Sequence, residues 1–276
     1  MTNQVHDFDP FAKEVAYIRV NEKLIDRLLK RLNGVQDVKL LDIAAGTGLM
    51  TNIAFEKAEP AGVKIIPTLL DLDRPALQQA QIEVRPHQAE YVYATADVLP
   101  ISTATYDAVI FANSLHMLDD GSKDRAIRES FRVLKPGGIL AINSTFYDGA
   151  YPDSSKPFYS RWIRRAIGEI NQRLPKRDKA EKVEAIKWLT PEEYRDMVAG
   201  AGFRIIEMRQ RVVHLSQSSV KAISTYKEFA KGALHATDDD AEAASQALQA
   251  SVKQAFNDLK MKFLARNWLE VIAVKP

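Results

Sequence analysis

The fold class of this chain is decided by the segment Leu40-Leu41-Asp42-Ile43-Ala44-Ala45-Gly46-Thr47-Gly48. The short apolar run Lys39–Ala44 includes the acidic residue Asp42 and ends in a glycine-rich turn, after which Leu49 to Lys57 has the pattern of a helix. Glycine lets a backbone approach a ligand where a Cβ would clash. Open α/β sheets bind ligands outside the carboxyl ends of their strands, which is where this turn would lie. The segment therefore predicts a strand–turn–helix unit that binds a ligand.

Strand and helix candidates alternate on both sides of this segment. The helix candidates are 8–33, Pro75–Val84 and Lys123–Leu134, the last ended by Pro136-Gly137-Gly138. The further strand candidates are Lys64–Leu70, interrupted by Pro67, then Tyr91–Thr95, Tyr106–Ala112 and Ile139–Thr145. Such alternation is typical of βαβ units and predicts a parallel sheet covered by helices on both faces.

The second half of the chain has a different pattern. A helix is predicted from Phe158 to Leu174, and a second helix begins at the capping-box sequence Thr190-Pro191-Glu192-Glu193. A strand follows at Phe203–Val213, residues 214–266 have a mostly helical pattern, and a last strand is predicted at 268–274. No repeat or linker divides the chain, so we expect one domain with helical insertions.

The composition excludes several classes of site. The chain has 276 residues, of which 46% are hydrophobic and 27% charged, as in ordinary globular proteins. Cysteine is absent, which excludes disulfides, zinc–thiolate sites, Fe–S clusters and cysteine nucleophiles, and fits a cytoplasmic location. A net charge of +2 does not by itself indicate a nucleic-acid partner. Neither a secretory signal nor an apolar run long enough for a membrane span is expected.

Two interpretations of the glycine turn remain open from the residues alone. Gly46-x-Gly48-x-x-Thr51 could be a dinucleotide-binding turn, with Asp71 as the acid that binds the ribose, although Thr51 replaces the third glycine. The other interpretation is an S-adenosylmethionine site, with Asp42 beside the methionine ammonium group and Asp71 at the ribose hydroxyls.

Three more segments, in order along the chain, favour the second interpretation: Val92–Pro100, Tyr106–Leu118 and Phe131–Leu140. With them, residues 38–145 resemble the class I S-adenosylmethionine-dependent methyltransferases, of the small-molecule kind that includes ubiquinone/menaquinone and trans-aconitate methyltransferases. The resemblance implies a Rossmann-like seven-stranded mixed sheet flanked by helices, whose last strand lies antiparallel beside the fifth. It also implies a single domain (1–276) with an N-terminal helical lid (1–37), a cofactor-binding core (38–147) and a helical cap (148–189 and 214–266).

The resemblance further implies which residues contact the cofactor. The methionine part would lie against the turn, the ribose at Asp71, and the adenine against the residues that follow the second and third strands. The expected cofactor-binding residues are Asp42, Ala44, Gly46, Thr47, Gly48, Asp71, Leu72, Asp97, Val98 and Asn113. The family often has glycine at the position of Ala44, so we expect a slightly tighter turn here.

Four residues are candidates for the acceptor side. His116 follows the fourth strand and would be catalytic, as a base or a group that orients the acceptor, or else a packed histidine at a helix start. Tyr17 is a candidate pocket residue on the N-terminal segment or a core residue. Trp162 and Arg161 lie on the apolar and basic faces of one helix. That helix would be a lid over an anionic substrate, a surface facing RNA or a membrane, or a solvated face.

The predicted function is transfer of a methyl group from S-adenosyl-L-methionine to the O, N or C atom of a small molecule, with S-adenosyl-L-homocysteine as product. No DNA partner and no metal are expected. Asn113-Ser114-Leu115-His116 replaces the Asn-Pro-Pro-Tyr-like segment of enzymes that methylate amino groups of nucleobases or protein glutamine. An RNA or protein methyltransferase and a non-methylating cyclase that keeps the cofactor site are the alternatives.

Overall fold

The fold is taken from a computed structural model, which describes residues 7–32, 34–84, 89–174 and 188–276. Its strands are β1 (Asp37–Ile43), β2 (Lys64–Asp71), β3 (Glu90–Tyr93), β4 (Tyr106–Ala112), β5 (Leu134–Ser144), β6 (Arg204–Leu215) and β7 (Leu264–Val274). Its α-helices are α1 (Asp9–Ala12), α2 (Val15–Arg31), α3 (Leu49–Ala58), α4 (Arg74–Glu83), α5 (Asp120–Val133), α6 (Lys156–Arg173), α7 (Pro191–Gly200), α8 (Gln217–Ile223), α9 (Lys227–Leu234) and α10 (Ala241–Asp258).

The seven strands form one mixed sheet in the order β3-β2-β1-β4-β5-β7-β6. Strands β1 to β5 pair in parallel, whereas β7 pairs antiparallel with β5, from Ile139 opposite Val274 to Ser144 opposite Leu269. The predicted fold class, including the antiparallel last strand beside the fifth, is therefore confirmed. Because β1 to β4 are parallel, their carboxyl ends meet at one edge of the sheet, where ligands bind in such folds.

Both faces of the sheet are covered, as expected for parallel strands. Leu41 and Ile43 of β1 contribute to the apolar core on one face, together with Ile127 of α5. Leu40 contributes to the core on the other face, together with Leu24 of α2. This alternation along β1 fixes the direction of each side chain and places Asp42 at the end of a fully covered strand.

The chain divides into two compact units. The sheet unit comprises Arg19–Ala150, Lys187–Arg211 and Trp268–Pro276, and the helical unit comprises Met1–Ile18, Tyr151–Ile186 and Val212–Asn267. Within the helical unit, α6 packs along α10, with the Phe158 and Phe256 rings 4.7 Å apart. The predicted organisation as one domain with a lid and a cap stays a prediction, and residues 175–187 of the predicted cap lie outside the described residues.

Most elements differ from their predicted bounds by one to three residues, and three differ more. The helix predicted at 8–33 is two helices, α1 and α2, separated at Lys13 and Glu14; residue 33 lies outside the described residues. Strand β5 begins at Leu134 rather than Ile139 because a register shift opposite Tyr106 and Ala108 accommodates Pro136-Gly137-Gly138 within the strand. Strand β7 begins at Leu264 because the long strand β6 lies beside it. Among the described helices, none has the length and apolar character needed to cross a bilayer.

Candidate cofactor and acceptor site

Asp42 is a buried carboxyl group near the carboxyl end of β1, with 1% of its surface exposed. Its Oδ2 accepts a hydrogen bond of 2.8 Å from the hydroxyl group of Thr51 on α3. Burial raises the pKa of Asp42 to about 7, with a smaller increase from the charge of Asp71, whereas hydrogen bonds from Thr51 lower it. The other oxygen, Oδ1, accepts no hydrogen bond from any described residue.

The turn after β1 has a left-handed backbone at three positions. The φ angles are 54° at Ala44, 55° at Gly46 and 85° at Gly48. A Cβ added at Gly46 would meet no atom within 4 Å, so the backbone there faces open space. A Cβ added at Gly48 would overlap Val84, which makes this glycine a packing requirement. One glycine thus leaves room beside the backbone, and the other lets α4 approach the turn.

Asp71 ties the turn to the end of β2. Its Oδ2 accepts a 2.7 Å hydrogen bond from the Gly46 N–H, and its Oδ1 accepts a 2.9 Å bond from the Asp73 N–H. The next residue, Leu72, is 57% exposed although it is apolar. The carboxylate of Asp71 is therefore held beside the open turn, next to the apolar side chain of Leu72, where it can accept hydrogen bonds from a ligand.

Asp97 and Val98 follow β3. Asp97 Oδ2 accepts a 2.8 Å bond from Nη2 of Arg125 on α5, and this guanidinium is the largest of the contributions that lower the pKa of Asp97. Val98 is 65% exposed, and its N–H donates only a long bond of 3.4 Å to the carbonyl oxygen of Thr95. The Val98 N–H is thus weakly engaged, whereas one oxygen of Asp97 is already paired with a cation.

Asn113 lies just beyond β4 with a left-handed φ of 56°, a conformation that asparagine tolerates. Its N–H donates to the carbonyl oxygen of Asn143, and its Oδ1 accepts a 2.8 Å bond from the Thr145 N–H. The first bond anchors the backbone of Asn113, and the second orients its side-chain amide. Its Nδ2 is buried and donates to no described residue, so a polar donor is held in place without a partner from the described chain.

His116 is half-buried in a short 3₁₀ turn, Leu115–Met117, after β4. Its ring stacks on Phe146 at 4.2 Å between centroids, and Phe146 meets the edge of Trp188 at 6.1 Å. Phe146 follows β5, which pairs with β4. The imidazole of His116 is therefore part of an aromatic group near the same edge of the sheet as Asn113.

The other three predicted acceptor residues belong to the helical unit. Tyr17 is buried, and its ring makes edge contacts with Phe8 and Phe11. Trp162 is 1% exposed, and its indole N–H donates to the carbonyl oxygen of Leu248. Arg161 is partly exposed, 3.7 Å from Asp258. These contacts give Tyr17 and Trp162 packing roles within their unit, and the substrate roles of all three residues stay predictions.

The edge formed by β1 to β4 thus collects the remaining predicted residues of the site. At this edge, Asp42 Oδ1 is a hydrogen-bond acceptor and Asn113 Nδ2 a hydrogen-bond donor, neither with a partner among the described residues. The carboxylate of Asp71 is held in place, and the backbone at Gly46 faces open space. A zwitterionic amino acid needs an acceptor for its ammonium group and a donor for its carboxylate, and a ribose needs an acceptor for its hydroxyls. The residues present therefore fit an amino-acid nucleoside such as S-adenosylmethionine.

Comparisons with known proteins identify the family. The sequence model of a methyltransferase domain matches residues 40–138. The mitochondrial 2-methoxy-6-polyprenyl-1,4-benzoquinol methylase of Caenorhabditis elegans is 30% identical over 60% of this chain and 59% of its own length. The ubiquinone/menaquinone biosynthesis C-methyltransferase of Rhizobium meliloti is 30% identical over 64% of this chain and 70% of its own length. This chain belongs to the class I S-adenosylmethionine-dependent methyltransferases.

The similarity covers only part of one relative and, for a solved structure, concerns the fold alone. The aligned region spans less than two thirds of the Caenorhabditis elegans methylase, at 59% of its length. Among solved structures, the [4+2]-cyclase SpnF superposes with a TM-score of 0.53 at 20% identity, covering 92% of this chain and 81% of the cyclase. At that identity the likeness concerns the fold of this methyltransferase and not its reaction.

Three residues of the candidate site do not follow from the sequence. The sequence pattern marks Thr51 only as the residue in place of a third glycine, but as the third residue of α3 it lies within hydrogen-bond distance of Asp42 near the end of β1. No sequence pattern indicates Phe146, because its stacking on His116 depends on the parallel register of β4 and β5, which pairs Ala112 with Asn143. Arg125 was missed because nothing in its local pattern marks it as the partner of Asp97.

Proposed function

We propose that this methyltransferase transfers the methyl group of S-adenosylmethionine to an O, N or C atom of a small-molecule acceptor by in-line displacement. The proposal rests mainly on one arrangement at the edge of the sheet. The Gly46 N–H of the open turn donates a hydrogen bond to the carboxylate of Asp71, and the buried carboxyl group of Asp42 lies on the neighbouring strand. Family membership supports the cofactor, and similarity to a benzoquinol methylase and to a methyltransferase of ubiquinone/menaquinone biosynthesis supports a small acceptor.

The residues of the chain act on the cofactor by binding and orientation. Asp71 would accept hydrogen bonds from the ribose hydroxyls, with Leu72 against the adenine. Asp42 Oδ1 and Asn113 Nδ2 would meet the ammonium and carboxylate groups of the methionine part. When bound, S-adenosylmethionine supplies an activated methyl group, so no protein nucleophile is required. The contribution of the protein is positioning.

On the acceptor side, His116 is the candidate for accepting a proton or orienting the acceptor. Its ring is half-buried and stacked on Phe146, which orients the plane of the imidazole and hence its ring nitrogens. The absence of a DNA partner and a cytoplasmic location are parts of this proposal. An RNA or protein acceptor is the competing outcome, and RNA binding with a steep salt dependence would favour it.

The first experiment is calorimetric titration with S-adenosylhomocysteine, with NAD as a control ligand. We expect binding of S-adenosylhomocysteine alone, and affinity about tenfold or more weaker in Asp71→Asn, because charge-assisted hydrogen bonds to the ribose are lost. Asp73→Asn is the matched control. Asp73 caps α4 by accepting from the Ala76 N–H, and asparagine caps about as well, so its affinity should be unchanged. Preference for NAD would refute the cofactor proposal.

The second experiment measures release of S-adenosylhomocysteine with a panel of quinols, phenols, small carboxylic acids and amines. Release that depends on one acceptor class would support small-molecule methyl transfer. Cofactor binding without release in the presence of any acceptor, combined with conversion of an acceptor to an isomer, would instead identify a non-methylating member of the family.

A further inference from the structure

Asp42 is an unusual group to place at the end of a covered strand. Its carboxyl is buried, one oxygen is held by Thr51, and the other accepts no hydrogen bond from any described residue. An ionised carboxylate in such a position carries a large desolvation penalty unless a cation or several donors stabilise it. In the ligand-free protein, burial therefore favours the protonated form of the Asp42 carboxyl group.

The charge of a neighbouring carboxylate also favours the protonated form of Asp42. Asp71, at the end of β2, is the charged group that acts on it, and a like charge disfavours ionisation. Its partners in register on the neighbouring strands, Leu69 on β2 and Ile110 on β4, are buried and apolar. From α3 the facing residue is Thr51, which is neutral.

Thr51 opposes these effects and also orients the carboxyl group. It is fully buried as the third residue of α3, and both its hydroxyl and its backbone N–H stabilise the ionised form of Asp42. Since Thr51 Oγ1 bonds Oδ2 at 2.8 Å, the torsion of the carboxyl group is fixed and Oδ1 is the oxygen left for a ligand. A threonine can do this at the third helix position, whereas the glycine of a dinucleotide-binding turn cannot.

We propose that Thr51 is a positioning residue that presents Asp42 Oδ1 to the ammonium group of the cofactor, and that cofactor binding releases a proton from Asp42 to solvent. The proposal rests on the proposed function, because it assumes a ligand with an ammonium group. In the free protein the carboxyl group is partly protonated near neutral pH. In the complex it is a carboxylate facing a cation, and the proton lost by Asp42 appears in the buffer.

The test is titration of the full chain with S-adenosylhomocysteine between pH 5.5 and 8.5, in pairs of buffers that differ in ionisation enthalpy. The ammonium group of this ligand stays charged over that range. With a carboxyl group titrating near pH 7, affinity should be about tenfold weaker at pH 6 than at pH 8. The buffer pairs should report proton release near and below neutral pH. In Asp42→Asn the pH dependence and the proton release should both disappear, which separates Asp42 from His116.

Variants of Thr51 test the positioning role. Thr51→Val keeps the shape but removes the hydroxyl, so the midpoint of the affinity curve should move to higher pH, with several-fold weaker binding at pH 7. Thr51→Ser should restore the wild-type curve. Thr105→Val removes a threonine hydroxyl that bonds the Ser102 carbonyl oxygen away from the site, and should leave the curve unchanged.

Each outcome has one meaning. Proton release that is absent in the wild type overturns the coupling, and an unshifted midpoint in folded Thr51→Val overturns the positioning role. If Thr51→Val fails to fold, Thr51→Ala, which also lacks the hydroxyl, takes its place with the same expected shift of the midpoint to higher pH, and the proton release of the wild type decides the coupling. Absence of S-adenosylhomocysteine binding at every pH in a folded protein contradicts the proposed function itself.

Discussion

Gly48 and Val84 are packed so closely that a methyl group on Gly48 would overlap Cγ2 of Val84. Leu69 lies nearby, 3.1 Å from the same added carbon, so the turn is enclosed by β2 and the end of α4. Gly48→Ala should therefore lower the free energy of unfolding by about 3 kcal/mol, from overpacking and the left-handed backbone together. Chemical denaturation of the variant and the wild type measures this.

Gly46→Ala is the matched control for that prediction. Its φ is also positive but the position faces open space, so only the backbone cost of about 1 kcal/mol is expected. Its main effect should be weaker S-adenosylhomocysteine binding, because the added methyl group occupies the space beside the turn. Equal stability losses in the two variants would contradict the packing role of Gly48.

Ala44→Gly should stabilise the protein. Ala44 has a φ of 54°, which is costly for any residue with a Cβ. After subtraction of the extra unfolded-state entropy of glycine, we expect a gain of about 0.5–1 kcal/mol in the free energy of unfolding. Ala104 has the same φ on an exposed loop, so Ala104→Gly should give a similar gain without any effect on cofactor binding. A loss of stability in Ala44→Gly would show that its methyl group contributes packing that outweighs the strain.

Ala44 also shows how far the sequence predicts this site. The turn, its place after β1 and the acid at the end of β2 follow from residue patterns, because glycine and strand-end carboxylates are needed at fixed spacings. The left-handed conformation at Ala44 does not follow, since alanine gives no local signal of it. The sequence predicted only a tighter turn there.

Contacts between distant segments were the hardest to predict. The long β5 through Pro136-Gly137-Gly138 depends on a register shift against β4, which is a property of the pair of strands and not of either segment. Trp162 has a helical apolar pattern that fits a pocket wall or a core equally well. Its packing role becomes visible only in contacts with distant segments, such as the hydrogen bond from its indole N–H to the carbonyl oxygen of Leu248 on α10.

The stability of the ligand-free protein should depend on pH through Asp42. Its pKa in the folded state, about 7, is above the unfolded value, so its contribution to stability is greatest at low pH and is lost as pH rises through 7. Asp42→Asn lacks this loss and should become more stable than the wild type as pH rises from 4 to 7, by at most about 4 kcal/mol. Denaturation at several pH values measures the difference.

Asp97→Asn is the control, because the stability of this variant relative to the wild type should change with pH in the opposite direction. The pKa of Asp97 is lowered, chiefly by Arg125, so its contribution is present above the unfolded pKa and lost as pH falls. This variant should be slightly less stable than the wild type at pH 7, and the difference should vanish in acid. A stability difference for Asp42→Asn that does not change with pH would refute titration of Asp42.

His116→Ala should lower turnover strongly while leaving S-adenosylhomocysteine affinity unchanged, because the proposed function assigns the imidazole to the methyl acceptor and not to the cofactor. Phe146→Leu keeps an apolar contact but removes the stacked ring, so it should reduce turnover less than His116→Ala does. The measurement is kcat and KM with an acceptor found in the screen, beside calorimetric affinity. Unchanged turnover in His116→Ala would leave His116 as a packed histidine without a catalytic role.

Trp162 and Arg161 are neighbours on α6, but their substitution by alanine should affect stability very differently. Trp162 is buried against α10, and its indole stacks on Phe229 at 6.0 Å, so Trp162→Ala should cost about 3–5 kcal/mol of stability. Arg161 is partly exposed, and its ion pair with Asp258 is long, so Arg161→Ala should cost less than about 1 kcal/mol. If Arg161 binds an anionic acceptor, its loss raises KM at unchanged stability. A normal KM in Arg161→Ala, with an unstable Trp162→Ala, would show that this part of α6 packs the helical unit and does not contact the acceptor.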